Sequence, residues 1–90
     1  MEKSTFSPLY VILRERLVSM RMARGLSQRE LADRLGRERS FVARVELGER
    51  RLDVVEFYWY CKACGRDAAR VAKGLMKEFS RRSARRPGPH

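Results

Sequence analysis

The chain has 90 residues and a net charge of +10, with 43% hydrophobic and 36% charged residues. This length supports one domain with one core and leaves no room for a separate small-molecule sensing domain, and no apolar stretch approaches the roughly 20 residues that span a bilayer. The N-terminus also lacks the apolar region of a signal peptide, so we expect a cytoplasmic protein whose positive charge favours an acidic partner such as nucleic acid.

The first predicted helix begins at Ser7-Pro8, where a hydroxyl caps the helix and proline occupies its first position without losing a hydrogen bond. Residues 1–7 carry no periodic pattern, and we expect a flexible N-terminus there. Apolar residues then recur on one helix face, at Leu9, Leu13, Leu17 and Met20. Gly25 ends this helix, because glycine accepts the left-handed conformation that follows a helix end.

Two short helices joined at Gly36 form the centre of the sequence. Ser27 and Glu30 have the spacing of a capping box at the start of the second helix. A third helix is predicted over residues 38–47, closed by Gly48, with a buried face at Val42 and Val45. Such a pair lets one helix enter a DNA groove while the other rests on the phosphate backbone.

Two further helices are predicted downstream. The fourth predicted helix is capped by Asp53 and ends at Cys64. Its buried face is predicted at Val54, Phe57, Cys61 and Cys64, flanked by Tyr58 and Tyr60. A fifth helix is predicted over residues 67–82, capped by Asp67, with apolar residues at Ala68, Val71, Ala72, Leu75, Met76 and Phe79. Residues 83–90 are rich in arginine, proline and glycine, and we expect a disordered basic tail.

Cys61 and Cys64 are three positions apart. A structural zinc site needs about four ligands, and His90 is the one other plausible soft ligand, so we predict neither a metal nor another cofactor. A redox pair of the thioredoxin type is an alternative, but that motif opens a helix, whereas this pair closes one. We interpret both cysteines as core residues.

The sequence resembles the phage-repressor and Cro-like helix-turn-helix regulators known as the XRE family. The resemblance covers roughly residues 9–66 and is carried by Leu17, Met20, Arg21, Gly25-Leu26-Ser27-Gln28, Glu30-Leu31-Ala32, Leu35-Gly36, Ser40, Val42, Arg44-Val45-Glu46, Gly48-Glu49-Arg50 and Cys64-Gly65. It implies an all-α, compact five-helix fold like the lambda-repressor domain. Residues 8–66 would form the helix-turn-helix DNA-binding domain, followed by the amphipathic C-terminal helix over 67–82.

The resemblance also implies which residues contact double-stranded DNA. The base-contacting positions of the third helix match Arg39, Ser40 and Arg44, and arginine reads guanine through O6 and N7 in the major groove. Contacts with phosphates or the minor groove are implied for Ser27, Gln28, Arg37, Phe41, Arg50 and Arg51. Gln28 matches the position that also buttresses the recognition helix.

Three acidic residues need a separate interpretation. The resemblance pairs Glu46 with Arg21 as a structural ion pair between the first and third helices. No second carboxylate, histidine or nucleophile accompanies Glu46 at a catalytic spacing, so we do not expect an enzyme. Glu38 stands at the start of the third helix, where the family often has Ser or Thr. If the helix docks on DNA, Glu38 must point away from the DNA or pair with a neighbouring arginine. At the position of Glu49, by contrast, acidic residues are common in the family.

The fourth helix carries a second apolar face at Val55 and Trp59, positions that are usually polar in the family, and Tyr58 borders them. Because Trp and Tyr are enriched at interface hot spots, we predict a two-fold homodimer through this face. In the alternative, the fifth helix folds back and covers Val55 and Trp59 within one chain.

The fifth helix and the basic tail are compatible with more than one function. An apolar stripe opposite a basic face suits a membrane surface or an acidic partner, but packing on the helix's own domain accounts better for its many alanines.

We predict a nucleoid-associated transcription regulator, a dimeric repressor that reads a palindromic operator. The alternative is a DNA-binding antitoxin or adaptor whose C-terminal segment binds a second protein.

Overall fold

Five helices follow one another through residues 7–83, the part of the chain that the computed structural model describes. They are α1 Pro8–Ala23, α2 Gln28–Arg34, α3 Phe41–Leu47, α4 Val54–Ala63 and α5 Ala68–Ser83. No strand is present between residues 7 and 83, so the predicted all-α fold is confirmed. The predictions for residues 1–6 and 84–90 lie outside the described residues, whereas Ser83, which we had assigned to the tail, is the last residue of α5.

Four of the five described helices begin where the sequence places capping side chains. The Oγ of Ser27 accepts a hydrogen bond from the backbone N–H of Glu30 at 3.0 Å, and the Glu30 carboxylate accepts one from the N–H of Ser27 at 2.8 Å. Asp53 and Glu56 form a second capping box at α4. The predicted caps at α1 and α5 are also formed, by Ser7 and Asp67. Each cap satisfies an N–H group that has no partner within its helix.

The start of α3 differs from the sequence prediction. The helix begins at Phe41, and it is preceded by a turn in which the N–H of Phe41 donates to the carbonyl of Glu38 at 3.0 Å. Ser40 stands at the N-cap position, but its side chain makes no capping hydrogen bond. Similar residues are found in a turn closed by an i to i+3 hydrogen bond and in the first turn of a helix. The sequence pattern therefore placed the start of α3 at Glu38, three residues too early.

The core lies between the five helices, each of which contributes buried side chains to it. Its most deeply buried large side chains are Tyr60, Leu17, Met20, Leu31, Val42, Val45 and Cys61. The predicted core positions of Cys61 and Cys64 are confirmed, and both thiols are free. Burial raises the pKa of the Cys61 thiol to about 11 and also raises that of Cys64, so both stay protonated and weakly nucleophilic at neutral pH.

The buried face of α4 differs from the prediction at Val54 and Tyr60. Val54, predicted as core, is 79% exposed, whereas Tyr60, predicted at the flank, is fully buried. Val54 occupies the first turn of α4, whereas the buried Tyr60, Cys61 and Cys64 lie at its C-terminal end. Because neighbouring helices decide which part of an apolar helix is covered, periodicity alone could not fix this face.

The fifth helix packs on its own domain, as predicted. Val71 and Leu75 are buried, and Ala68 and Phe79 pack against the core, while Met76, predicted on the same stripe, is 57% exposed. The helix contacts α1 and α4 but leaves Val55 60% and Trp59 52% exposed, so the alternative in which α5 covers them is wrong. None of the described helices is long and apolar enough to cross a membrane.

Candidate nucleic-acid interface

The turn before α3 and the outer face of α3 form an exposed polar surface. Arg39 and Ser40 are exposed in the turn, and Arg44 is exposed one helical turn beyond Ser40. Ser40 and Arg44 are four residues apart and therefore share a face, opposite the buried Val42 and Val45. The three predicted base-contacting residues thus lie at one surface, although two of them precede the helix.

The inner side of α3 is fixed by a network centred on Glu46. Nε and Nη2 of Arg21 donate to the two carboxylate oxygens at 2.7 and 3.2 Å, and Nε2 of Gln28 donates to Oε1 at 2.8 Å. Arg21 also donates to the carbonyl of Leu26 at 2.8 Å, and its pKa is raised by the hydrogen bonds to Glu46. The predicted ion pair is confirmed, and Gln28 buttresses α3 as the resemblance implied.

The C-terminal end of α3 has a cap that the sequence analysis missed. Nη1 of Arg14 donates to the carbonyl of Leu47 at 3.2 Å, which satisfies a carbonyl at the negative end of the helix. Gly48 follows with φ of 84°, and a Cβ there would collide with the Arg14 guanidinium. Leu47 lies 33 positions after Arg14 in the sequence, so no local motif signals this contact.

Phe41 is a core residue, which corrects its predicted role. Its side chain is 2% exposed and cannot offer a surface to a phosphate. The guanidinium carbons of Arg37 and Arg50 lie 4.0 and 5.3 Å from the ring centroid. The ring therefore supports two arginines by cation–π contact and does not itself contact DNA.

Glu56 holds the same two arginines and was not predicted as a site residue. Arg50 donates to its two carboxylate oxygens at 2.6 and 3.2 Å, and Arg37 donates at 3.3 Å. The hydrogen bonds from Arg50, then from the Asp53 backbone N–H and from Arg37, lower the pKa of Glu56 to about 2. The Asp53-x-x-Glu56 capping-box spacing was the available signal in the sequence.

The remaining predicted contacts have different surroundings. The guanidinium of Arg51 lies 5.1 Å from the ring centroid of Tyr10, at the start of α1. Ser27 is exposed, and its hydroxyl accepts from the N–H of Glu30 within the capping box. Contacts of Ser27, Arg37, Arg50 and Arg51 with DNA remain predictions.

Glu38 pairs with neighbouring arginines, one of the two arrangements that the sequence analysis required. Its Oε2 lies 3.7 Å from Nη1 of Arg44, and its Oε1 lies 3.9 Å from Nε of Arg37. Its side chain is 55% exposed. The carboxylate thus lies on the same surface as the predicted base-contacting residues.

A separate apolar surface lies on α4. Val54, Val55, Tyr58 and Trp59 are all exposed, and the Tyr58 and Trp59 rings meet edge to face with centroids 5.0 Å apart. The second apolar face predicted from the sequence is therefore present and open. The described residues contain no group of three or more His, Cys, Asp or Glu that could hold a metal ion.

Comparisons with known proteins agree with this geometry. A family model described as a helix-turn-helix domain matches residues 12–73. The solved structure of an XRE-family like protein from Pseudomonas syringae pv. tomato str. DC3000 is similar, with a TM-score of 0.75 and 43% sequence identity over 78% of this chain and 85% of that chain. Comparison with curated proteins gives no match.

Proposed function

This chain belongs to the XRE family of helix-turn-helix DNA-binding regulators, and from that premise we propose that it is a sequence-specific transcription repressor. It acts as a dimer, reads a palindromic operator with α3 in the major groove, and works in the cytoplasm at the nucleoid. The observation that supports this most is one exposed surface, made by Arg39 and Ser40 in the turn before α3 and by Arg44 on α3, while the opposite side of α3 is anchored by the Glu46 network.

Rigid anchoring supports base reading because a bidentate contact needs a fixed approach. Arg21 and Gln28 tie α3 to α1 and to the start of α2 through one carboxylate, whose side chain is 8% exposed. Arg39 and Arg44 are then presented from a fixed backbone, where each good arginine–guanine pair contributes about 1–3 kcal/mol of discrimination. The proposal therefore predicts half-sites that contain G·C pairs.

Selection of bound duplexes from random DNA tests the proposal. The wild-type chain is expected to enrich one palindromic motif, and Arg39→Ala and Arg44→Ala are each expected to relax it at separate positions. Binding to the enriched duplex is expected to persist at 200 mM salt while binding to random duplexes is lost. Equal affinity for all duplexes would reject sequence-specific regulation.

The exposed α4 face supports the dimer. A Trp–Tyr pair beside two valines is a surface of the kind that interfaces bury, and two copies bound one helical turn apart double the number of base contacts. Val55→Glu is expected to shift the chain to a monomer in sedimentation equilibrium. Met22→Glu, at an exposed apolar position on α1, is the matched control and is expected to stay dimeric.

The alternative, an antitoxin or adaptor with a protein partner at α5, has weaker support. Val71 and Leu75 are already buried by the rest of the domain, so within residues 68–83 Met76 is the main exposed apolar side chain that a partner could cover. Co-purification of a second protein of similar size, lost on Met76→Glu and kept on Val55→Glu, would favour this alternative.

A further inference from the structure

Three glutamates form ion pairs around α3, and one of them is held differently from the others. Glu46 and Glu56 have side chains 8% and 21% exposed and accept hydrogen bonds of 2.6–3.3 Å from their arginines. Glu38 is 55% exposed, and its nearest guanidinium nitrogens, on Arg44 and Arg37, are 3.7 and 3.9 Å away. The first two carboxylates are committed to the fold, whereas the third is loosely paired at the predicted DNA surface.

The loose pair keeps its hydrogen-bonding groups available. A charge-assisted hydrogen bond between guanidinium and carboxylate is about 2.7–2.9 Å long, so at 3.7 Å neither Glu38 nor Arg44 is saturated by the other. An exposed ion pair of this kind contributes little to folding stability. Stability therefore gives no reason for a carboxylate at this place, where it would repel passing phosphates.

The pair is complementary to the major-groove edge of a G·C base pair. Guanine presents the acceptors N7 and O6 there, and cytosine presents the N4 amino donor beside them. Guanine O6 and cytosine N4 are hydrogen-bonded to each other, about 2.9 Å apart. Nη1 of Arg44 and Oε2 of Glu38, 3.7 Å apart, offer a donor and an acceptor at a similar spacing.

We propose that Glu38 is a specificity-determining residue that accepts a hydrogen bond from cytosine N4 while Arg44 donates to the guanine of the same base pair. This inference rests on the proposed function, because it requires α3 in the major groove. At a base pair that presents an acceptor in place of cytosine N4, the carboxylate faces an acceptor and loses its hydration without compensation. On non-cognate DNA it repels phosphates, so Glu38 also selects against wrong sequences.

Glu38→Ala tests the proposal, with Glu49→Ala as the matched control. Glu49 is exposed just beyond α3, so its removal changes the net charge near the interface by the same amount. Discrimination at one C·G position is expected to fall roughly tenfold in Glu38→Ala, while affinity for random duplexes rises. Glu49→Ala is expected to raise affinity for all duplexes together and to leave the selected motif unchanged.

A second variant tests the hydrogen bond itself. Glu38→Gln keeps the length of the side chain but adds N–H donors, and an amide pairs with adenine N6 and N7. Because adenine at that position would replace the guanine read by Arg44 with thymine, cytosine is expected to stay the preferred base in Glu38→Gln, with its margin over adenine reduced. Matching unfolding curves for wild type and all three variants would show that each change acts on binding and not on folding.

Two results would overturn the proposal. One is that Glu38→Ala keeps the selected motif and the full ratio of specific to random binding. The other is that Glu49→Ala loses as much discrimination as Glu38→Ala, which would mean that only the loss of a negative charge matters. Absence of any preferred sequence for the wild-type chain would instead reject the proposed function, and this inference with it.

Discussion

The two sides of α3 hold their charged residues in opposite ways. On the side facing α1 and α2, Glu46 is 8% exposed and is hydrogen-bonded to Arg21 and Gln28 at 2.7–3.2 Å. On the outer side, Arg44 is 49% exposed and lies 3.7 Å from Glu38. The inner charges are costly to disturb because they are desolvated, whereas the outer charges can exchange partners. We infer that the inner side positions the helix and the outer side binds the ligand.

Breaking the inner side should have the largest effect. Glu46→Ala leaves the Arg21 guanidinium, 14% exposed, without its partner, and stranding one partner of a desolvated pair costs about 3 kcal/mol. We expect that loss in the free energy of unfolding measured in urea. The exposed Glu49→Ala is expected to change stability by less than about 0.5 kcal/mol, and an equally small loss in Glu46→Ala would contradict the assigned role of the network.

Changing the outer side should affect binding and leave folding unchanged. Arg44→Ala is expected to weaken binding to the selected duplex by about 2 kcal/mol, because one arginine–guanine contact contributes about 1–3 kcal/mol. Its unfolding free energy is expected to stay within about 0.5 kcal/mol of wild type, since the side chain is 49% exposed. Fluorescence anisotropy with labelled duplex and urea unfolding measure the two quantities. A variant that loses stability and retains affinity would reverse the assignment of the two sides.

The Glu56 cluster lies between these extremes and should respond to pH. Its carboxylate has a pKa lowered from 4.5 to about 2, so its contribution is present above about pH 4.5 and is lost as pH falls toward 2. Glu56→Gln is expected to be less stable than wild type by about 1 kcal/mol at neutral pH. Thermal unfolding of both chains between pH 2 and 7 should show the difference closing in that window. A difference that is constant with pH would mean that the charge of Glu56 contributes nothing.

The smallest effect is expected for Arg51. As a phosphate contact it would add affinity without sequence information, so Arg51→Ala should weaken binding to all duplexes by the same factor and reduce the slope of log affinity against log salt by about 1. Titrations at several salt concentrations with the selected and a scrambled duplex measure this. Loss of discrimination between the two duplexes would instead indicate base reading.

Much of the fold followed from local signals in the sequence. Capping side chains and glycines act on neighbours within three or four residues. The glycines placed the ends of α1 and α2 correctly, and the aspartate caps placed the starts of α4 and α5. The burial of Leu17, Met20, Val42 and Val45 followed from periodicity in the same way.

The candidate site was predictable only in part. The resemblance placed Arg39, Ser40 and Arg44 at one exposed surface and paired Arg21 with Glu46, because those positions carry a family pattern. It misplaced Phe41, because an aromatic residue next to recognition positions carries no sign of whether it faces inward. Arg14 caps α3 from a distant part of the chain, and no local pattern encodes that contact. The capping-box spacing signals that Glu56 caps α4, but it does not signal that Glu56 also holds Arg37 and Arg50.

By itself the sequence determined five helices, the main caps and a basic helix-turn-helix, since each of these depends on residues that are near neighbours along the chain. Tertiary structure alone decided that α3 begins at Phe41, that Tyr60 and not Val54 enters the core, and that Glu38 stays exposed while Glu46 and Glu56 do not. The physical reason is burial: which side chains lose contact with water depends on how distant helices pack, and burial in turn decides whether a charge anchors the fold or remains free to bind.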